Sequence, residues 1–228
     1  MRFLVGADWN ASPHNPARFR PSWIARAAGL HIASAGPGAF GDIDYVLTDA
    51  AVTARRRLPR FGSDHDLVIF AVRDPETGAA LRVGTWNALA GRDPSTVAGT
   101  VVSIVRRYEL DVLLLQEATG YHRALQRRDG IDLVGFSAVP GEAQNPIVIR
   151  SGLAHTCGHT VRLSRRGWPL AGGDLHAPIY ATSVEVDGWL RAWSVHLPNY
   201  ERSPDHNAAY RQAALRTVLA ARRHQRRR

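Results

Sequence analysis

Lysine is absent from all 228 residues, and cysteine and methionine occur once each. A single cysteine, Cys157, leaves no internal disulfide and fits a reducing compartment. No apolar run approaches the roughly 20 residues that a membrane-spanning helix needs. Near the start of the chain Phe3-Leu4-Val5 is soon followed by Asp8, too brief for the apolar centre of a secretory signal. A cytoplasmic protein without a membrane partner is therefore expected; its oligomeric state is left open. Hydrophobic residues at 45% and charged residues at 21% exclude a disordered chain. The length suits one domain over 1–228 with a real core, and is short for two.

Arginine alone carries the basic excess, a formal charge of +9 and a sequence pI near 10.8. A GC-rich coding sequence accounts for arginine in place of lysine but not for the excess itself. A basic surface favours polyanions, and the planar guanidinium fork matches phosphate. Arg55-Arg56-Arg57 and Arg60 read as a basic loop, either a solvated turn or a phosphate clamp. A second basic stretch, with Arg165 and Arg166, lies in a loop expected over 164–177, and an arginine-rich tail ends the chain.

Short apolar segments organise the rest. Arg2–Val5, Asp42–Leu47, Val68–Val72, Leu81–Gly84, Asp111–Leu115, Ile147–Ile149 and Thr160–Leu163 read as strands. Ile179–Val186 and Trp189–Val195 form a hairpin across the turn signal Asp187-Gly188. Helices are expected over Ser22–Ala28, Ser95–Tyr108, Tyr121–Arg128 and Asp205–Arg223. Asp93 or Ser95 starts the second, and Tyr210, Ala214, Leu215, Val218 and Leu219 stripe the last.

Polar residues recur at the mouths of these strands. Asp8 and Asn10, Asn87, Glu117 and His196 follow strand ends, whereas Asp44 and the pair Asp64-His65 stand at strand starts. In antiparallel neighbours one strand's end lies beside the next one's beginning, so all can gather along one rim. Singly, each is as well explained by a turn or a solvated surface pair. Together they offer carboxylates, amides and two histidines without a thiolate, a donor set that suits Mg²⁺, Mn²⁺ or Ca²⁺ rather than structural zinc. A hard cation, a histidine base and amide donors are the parts needed to hydrolyse a phosphate ester.

These stretches resemble the motifs of the endonuclease/exonuclease/phosphatase superfamily, the DNase I-like proteins. Thr85-Trp86-Asn87, Leu115-Gln116-Glu117, Ser194-Val195-His196-Leu197, Asp8-Trp9-Asn10, Ile43-Asp44-Tyr45 and Ser63-Asp64-His65 carry the likeness. The resemblance implies an α/β fold: a four-layer α/β/β/α sandwich of two mostly antiparallel sheets. It implies catalytic roles for His65, Asp8, Asn10, His196, Asp44 and Asp64. Glu117, Asn87 and Asp64 would hold Mg²⁺ or Mn²⁺, and Asn145, Arg57 and Arg165 are candidates for substrate phosphate. The family order is rotated here, as in a circular permutant: 1–72 matches the family's second half, 83–228 its first, and 73–82 connects them. The substrate expected is nucleic acid, DNA or RNA. A phospholipid or inositol phosphate is the alternative, and a non-catalytic nucleic-acid-binding protein is the reading of another class.

Overall fold

A computed structural model describes residues 1–13, 19–38, 42–89, 91–118, 121–126, 128–134, 145–169, 176–197 and 204–225, with the backbone alone at 122, 164–169, 176–178, 204–207, 209 and 225. Residues 14–18 and the other intervening stretches lie outside this description.

In chain order the elements are β1 (Arg2–Asp8), α1 (Pro21–Ala28), β2 (His31–Ala33), β3 (Asp44–Thr48), β4 (Ala51–Leu58), β5 (Leu67–Arg73), β6 (Ala80–Asn87) and α2 (Pro94–Arg107). There follow β7 (Val112–Gln116), α3 (His122–Leu125), β8 (Ile131–Val134), β9 (Ile147–Arg150), β10 (His159–Pro169), β11 (His176–Val186), β12 (Leu190–His196) and α4 (Pro204–Gln225).

The strands form two six-stranded sheets, β10-β11-β12-β1-β3-β2 and β4-β5-β6-β7-β9-β8. Their inner faces meet in an apolar layer that includes Leu4, Val46, Val68, Val83, Leu114, Ile149, Val184 and Ala192. The outer face of the first sheet packs on α1 and α4 through Phe3, Val5, Ile24, Trp193, Tyr210 and Val218. That of the second packs on α2 through Ile69, Trp86, Leu113, Val97, Val101 and Ile104. The result is the expected α/β/β/α sandwich. Gly6 lies at a close approach of the two sheets: a Cβ there would collide with Leu114 Cδ1 and stand 3.3 Å from Thr85 Oγ1 on the facing sheet.

Each sheet has one parallel pair at its centre. β1 runs parallel to β12, with Asp8 opposite His196. β6 runs parallel to β7, with Asn87 opposite Gln116. The flanking strands are antiparallel: β3 sets Asp44 opposite Asp8, and β5 begins beside the end of β6. Four strand ends and two strand starts thus share one rim.

Local chemistry accounts for the helix ends. Asp93 accepts from the Thr96 backbone N–H to start α2, and Gly29 ends α1 in a left-handed turn at φ 67°. Several expectations are corrected. Arg55, Arg56 and Arg57 lie on edge strand β4, not in a loop. Of the stretch expected as a loop, residues 164–169 instead end β10 and 176–177 begin β11, paired across a register shift between Arg162 and Gly167; residues 170–175 lie outside the described residues. The helix expected over Tyr121–Arg128 is reduced to the four residues of α3. On α4, Leu215 and Leu219 are exposed, 43% and 51%, because the buried face is built from Tyr210, Ala213, Ala214, Thr217, Val218 and Ala221. Among the described residues no helix is long and apolar enough to cross a membrane.

Candidate active site

Asp8 is the hub. It is 2% exposed at the end of β1. Its Oδ2 lies 3.4 Å from His196 Nε2, 3.7 Å from His65 Nε2 and 3.2 Å from Asn87 Nδ2. Its Oδ1 accepts from the Asn10 backbone N–H at 3.0 Å. One carboxylate therefore joins three side chains brought from β12, β6 and the turn before β5.

Glu117 stands just past β7 with a side chain 26% exposed, and its Oε1 lies 3.5 Å from His196 Nε2. Asn87 bridges the two acids, donating to Asp8 at 3.2 Å and to Glu117 at 3.1 Å, while its Oδ1 accepts from Leu89 N–H. So arranged, Asn87 fixes the acids with its nitrogen rather than turning its oxygen to a cation. Glu117 has φ 52° and Asn10 φ 46°. Left-handed backbone is uncommon for non-glycine residues and concentrates at functional sites.

His65 Nδ1 donates to Asp44, 3.0 Å from Oδ2 and 3.2 Å from Oδ1. This leaves Nε2 facing Asp8. The ring is held from behind as well: Ser63 Oγ accepts from His65 N–H at 3.1 Å and donates to the Asn87 carbonyl at 2.6 Å. Asp64 is the most open member, its side chain 42% exposed and its Oδ1 4.0 Å from His65 Nε2. Asn10 donates to the Leu197 carbonyl at 2.7 Å and sits 3.5 Å from His196 Nε2.

Burial and pairing set the charges. Burial pushes Asp8 up, but its hydrogen bond with His196 and the charges of His196 and His65 leave it below the ordinary carboxylate value. Burial, with Asp8 alongside, pushes Asp44 up to about 6 despite the bond from His65. Burial opposes charge on His65, yet the bond to Asp44 and the fields of Asp8, Asp44 and Asp64 raise it to about 9. His196 is raised likewise, against burial, by Asp8 and Glu117.

Two sets of donor atoms lie within 4.8 Å of one another: Asp8, Glu117 and His196, and Asp8, Asp44 and His65. Carboxylate oxygens dominate both and no thiolate contributes, so the residues fit a hard divalent cation. Such a cation would weaken the hold of both imidazoles on their protons, since it competes for the same carboxylates.

Other expected residues fall elsewhere. Asn145 precedes β9, which pairs with β7, and donates to the Tyr180 carbonyl at 2.9 Å across to the other sheet. That places it on the same rim, 2% exposed, with its Oδ1 buried and without a hydrogen-bond partner among the described residues. Arg57 is engaged within the protein. It binds the Gly36 carbonyl, Asp42 and Asp66, a strut between β4, the β2–β3 loop and the residue after His65. The side chain of Arg165 lies outside the described residues. A further layer escaped the sequence reading. Gln116, fully buried, donates to Ser194 Oγ at 3.2 Å and to Thr85 Oγ1 at 3.3 Å, and Ser194 donates to the Leu115 carbonyl. It locks the two sheets together one residue below Glu117. Gln116 closes the apolar run of β7, but nothing in the sequence shows that it faces Ser194.

No protein-family model matches the chain, and no curated protein matches it in sequence. Solved structures do. The human nocturnin catalytic domain, solved with a bound sulfate anion, is similar over 81% of this chain and 80% of its own, with TM-score 0.51 and 8% identity. The endonuclease domain of TRAS1, a telomere-specific non-LTR retrotransposon, is similar over 71% of this chain and 91% of its own, with TM-score 0.49 and 6% identity. An endonuclease/exonuclease/phosphatase family protein from Bacteroides thetaiotaomicron gives TM-score 0.47 and 10% identity over 71% and 88%. With two packed sheets, helices on both outer faces and an acid–histidine rim, the chain has the fold of the endonuclease/exonuclease/phosphatase, or DNase I-like, proteins.

Proposed function

We propose that this chain is a divalent-metal-dependent phosphoesterase, and specifically a nuclease that hydrolyses phosphodiester bonds of DNA or RNA. The observation that carries the reading is the Asp8 carboxylate, shared at 3.2–3.7 Å by Asn87, His196 and His65 from both sheets.

A bound Mg²⁺ or Mn²⁺ would supply neutralising charge to the phosphoryl oxygens and the leaving group. Glu117 and Asp8 would hold it, with Asn87 fixing both acids. His65, oriented by Asp44 through Nδ1, takes the proton of the attacking water at Nε2. The new P–O bond forms as the bond to the leaving oxygen breaks. His196 and Asn10 donate toward the phosphoryl oxygens as charge develops. Asp64, half open to solvent, stands where it adds negative field to His65 and meets cation-bound water. The formal charge of +9 favours a polyanionic substrate over a neutral one.

The test is direct. The protein is incubated with plasmid, single-stranded DNA, abasic duplex, RNA and a small phosphomonoester, with Mg²⁺ and with EDTA. Metal-dependent cleavage of a nucleic acid, lost in Glu117→Ala and His65→Ala, is expected. Cleavage of the phosphomonoester alone would replace the nuclease by a phosphatase. Cleavage that survives both substitutions would remove the assigned residues.

A further inference from the structure

Away from the rim, a cavity of about 320 Å³ opens between edge strand β4 and the C-terminal end of α2. Its lining includes Arg55, Arg56, Arg82, Arg107 and Tyr108, and no acidic side chain. Tyr108 ends α2, and two guanidiniums converge on its ring: Arg56 at 5.9 Å and Arg107 at 5.6 Å from the centroid.

Several other arginines are matched by acids. Arg2 meets Asp74 and Glu76, Arg57 meets Asp42 and Asp66, and Arg150 meets Asp111. Within the cavity Arg82 is matched by Glu109. Arg56 and Arg107 have no carboxylate partner among the described residues, yet the aromatic ring holds them together. Two like charges fixed on one ring repel unless an anion lies between them, and the fork of each guanidinium fits phosphate oxygens.

The cavity shares its sheet with the catalytic rim. Phe61 meets the Tyr108 ring edge-on at 6.0 Å and stands three residues before Asp64. Arg56 pairs with Ile69 on β5, which pairs with Gly84 on β6, three residues short of Asn87. At strand spacings this is about 10 Å along the sheet and about 10 Å across it, or roughly 14 Å in all. A stacked nucleic-acid strand, rising about 3.4 Å per nucleotide along its axis, covers that in about four nucleotides, and an extended strand in fewer.

We infer that the Arg56–Tyr108–Arg107 pocket binds the phosphodiester backbone of a single nucleic-acid strand whose scissile bond lies at the Asp8 rim. This rests on the nuclease reading above. The site is an anchor: it adds affinity without touching the reacting atoms.

Binding of a fluorescein-labelled single-stranded DNA oligonucleotide is followed by anisotropy in EDTA, where nothing is cut, across a salt series. In Arg56→Gln/Arg107→Gln we expect affinity about tenfold weaker near 0.1 M salt, and a log–log salt slope shallower by roughly 1.4, the loss of two phosphate contacts on a single strand. Arg222→Gln/Arg223→Gln removes the same charge from α4 and leaves both quantities as in wild type. Both double variants keep the wild-type rate on bis(p-nitrophenyl) phosphate, which is too small to reach the anchor. If the first pair fails to fold, Arg107→Glu alone, at an exposed helix end, gives the same readout. Unchanged affinity and slope in the β4–α2 variants, or equal losses from the α4 pair, overturn the proposal. A wild type that binds and cleaves DNA while the first pair changes nothing loses the anchor alone. A wild type that binds no nucleic acid loses the anchor and the nuclease reading together.

Discussion

Individual side chains at the rim work under constraint. Without a cation, His65 carries a proton up to about pH 9 because Asp44, Asp8 and Asp64 surround it. Its folded pKa lies above the ordinary imidazole value, so the stability it contributes is fully present below about pH 6.5 and fades as pH rises through about 9. In EDTA the urea midpoint of wild type should exceed that of His65→Gln at pH 6, and the gap should narrow toward pH 9. A gap that stays constant or widens would contradict the assignment. Glu117 illustrates the opposite balance, with chemistry held at the expense of backbone comfort. At φ 52° its side chain adds roughly 1–2 kcal/mol that glycine avoids. Glu117→Gly should therefore be more stable than Glu117→Ala by about 1 kcal/mol in urea titration, with both inactive in Mg²⁺-dependent hydrolysis. Asp8, Asp44, Asn87 and His196 were legible in the sequence because each interrupts an apolar segment at a strand mouth. Gln116 and Ser194 were not, because their role is to bridge two sheets that only the fold brings face to face.

Elements decide which of those residues meet. The buried strands β1, β5, β6, β7 and β12 announced themselves by apolar, β-branched runs. Edge strand β4 did not, because exposed Arg55 and Arg56 leave no hydrophobic alternation to read. On α4 the alanines misled. Small side chains let the helix sit close to its neighbours, so Ala213, Ala214 and Ala221 face inward while the bulkier Leu215 and Leu219 do not. Connectivity is more telling. β6 and β7, parallel neighbours, are joined through α2, whereas β12 leads into α4, whose His224 Nε2 lies 3.1 Å from the Met1 carbonyl at the head of β1. Joining α4 to β1 would create a second β–α–β crossover matching the first. Between β5 and β6 the chain makes only a tight turn, with Asp74 N–H bonded to the Ala79 carbonyl and Gly78 N–H to the Asp74 carbonyl. Joining α4 to β1 and opening the β5–β6 turn would leave every strand pairing of the two sheets in place. A variant with its ends joined by a short Gly-Ser linker and reopened at Thr77–Gly78 should fold cooperatively and keep metal-dependent activity, since exposed, adjacent ends tolerate this change. A permuted chain with no cooperative melting transition would refute this.

For the molecule as a whole, the rim is a concentration of charge that the fold tolerates rather than one that stabilises it. Asp8, Asp44, Glu117, His65 and His196 crowd within a few ångströms, and burial raises Asp44 to about 6. Buried ionised groups cost free energy unless each finds an opposite charge, and two imidazolium protons meet that need only in part. A divalent cation held at this place, as proposed above, would bind the folded chain and find no such site in the unfolded one. Folding stability must then rise with cation concentration by mass action, about 2.7 kcal/mol at a hundredfold excess over Kd. For a domain of this size each kcal/mol moves Tm by about 2–4 °C, so a rise of roughly 5–10 °C is expected in saturating Mg²⁺. Glu117→Ala should lose most of that rise while keeping the Tm of the metal-free protein within a few degrees, because its side chain is partly open to solvent. Arg56→Gln/Arg107→Gln, remote from the cation, should keep the whole rise. Differential scanning calorimetry with Mg²⁺ and with EDTA measures all three. An equal rise in wild type and Glu117→Ala would mean that the cation binds somewhere other than beside Asp8, and the chemistry assigned to the rim would lose its physical basis.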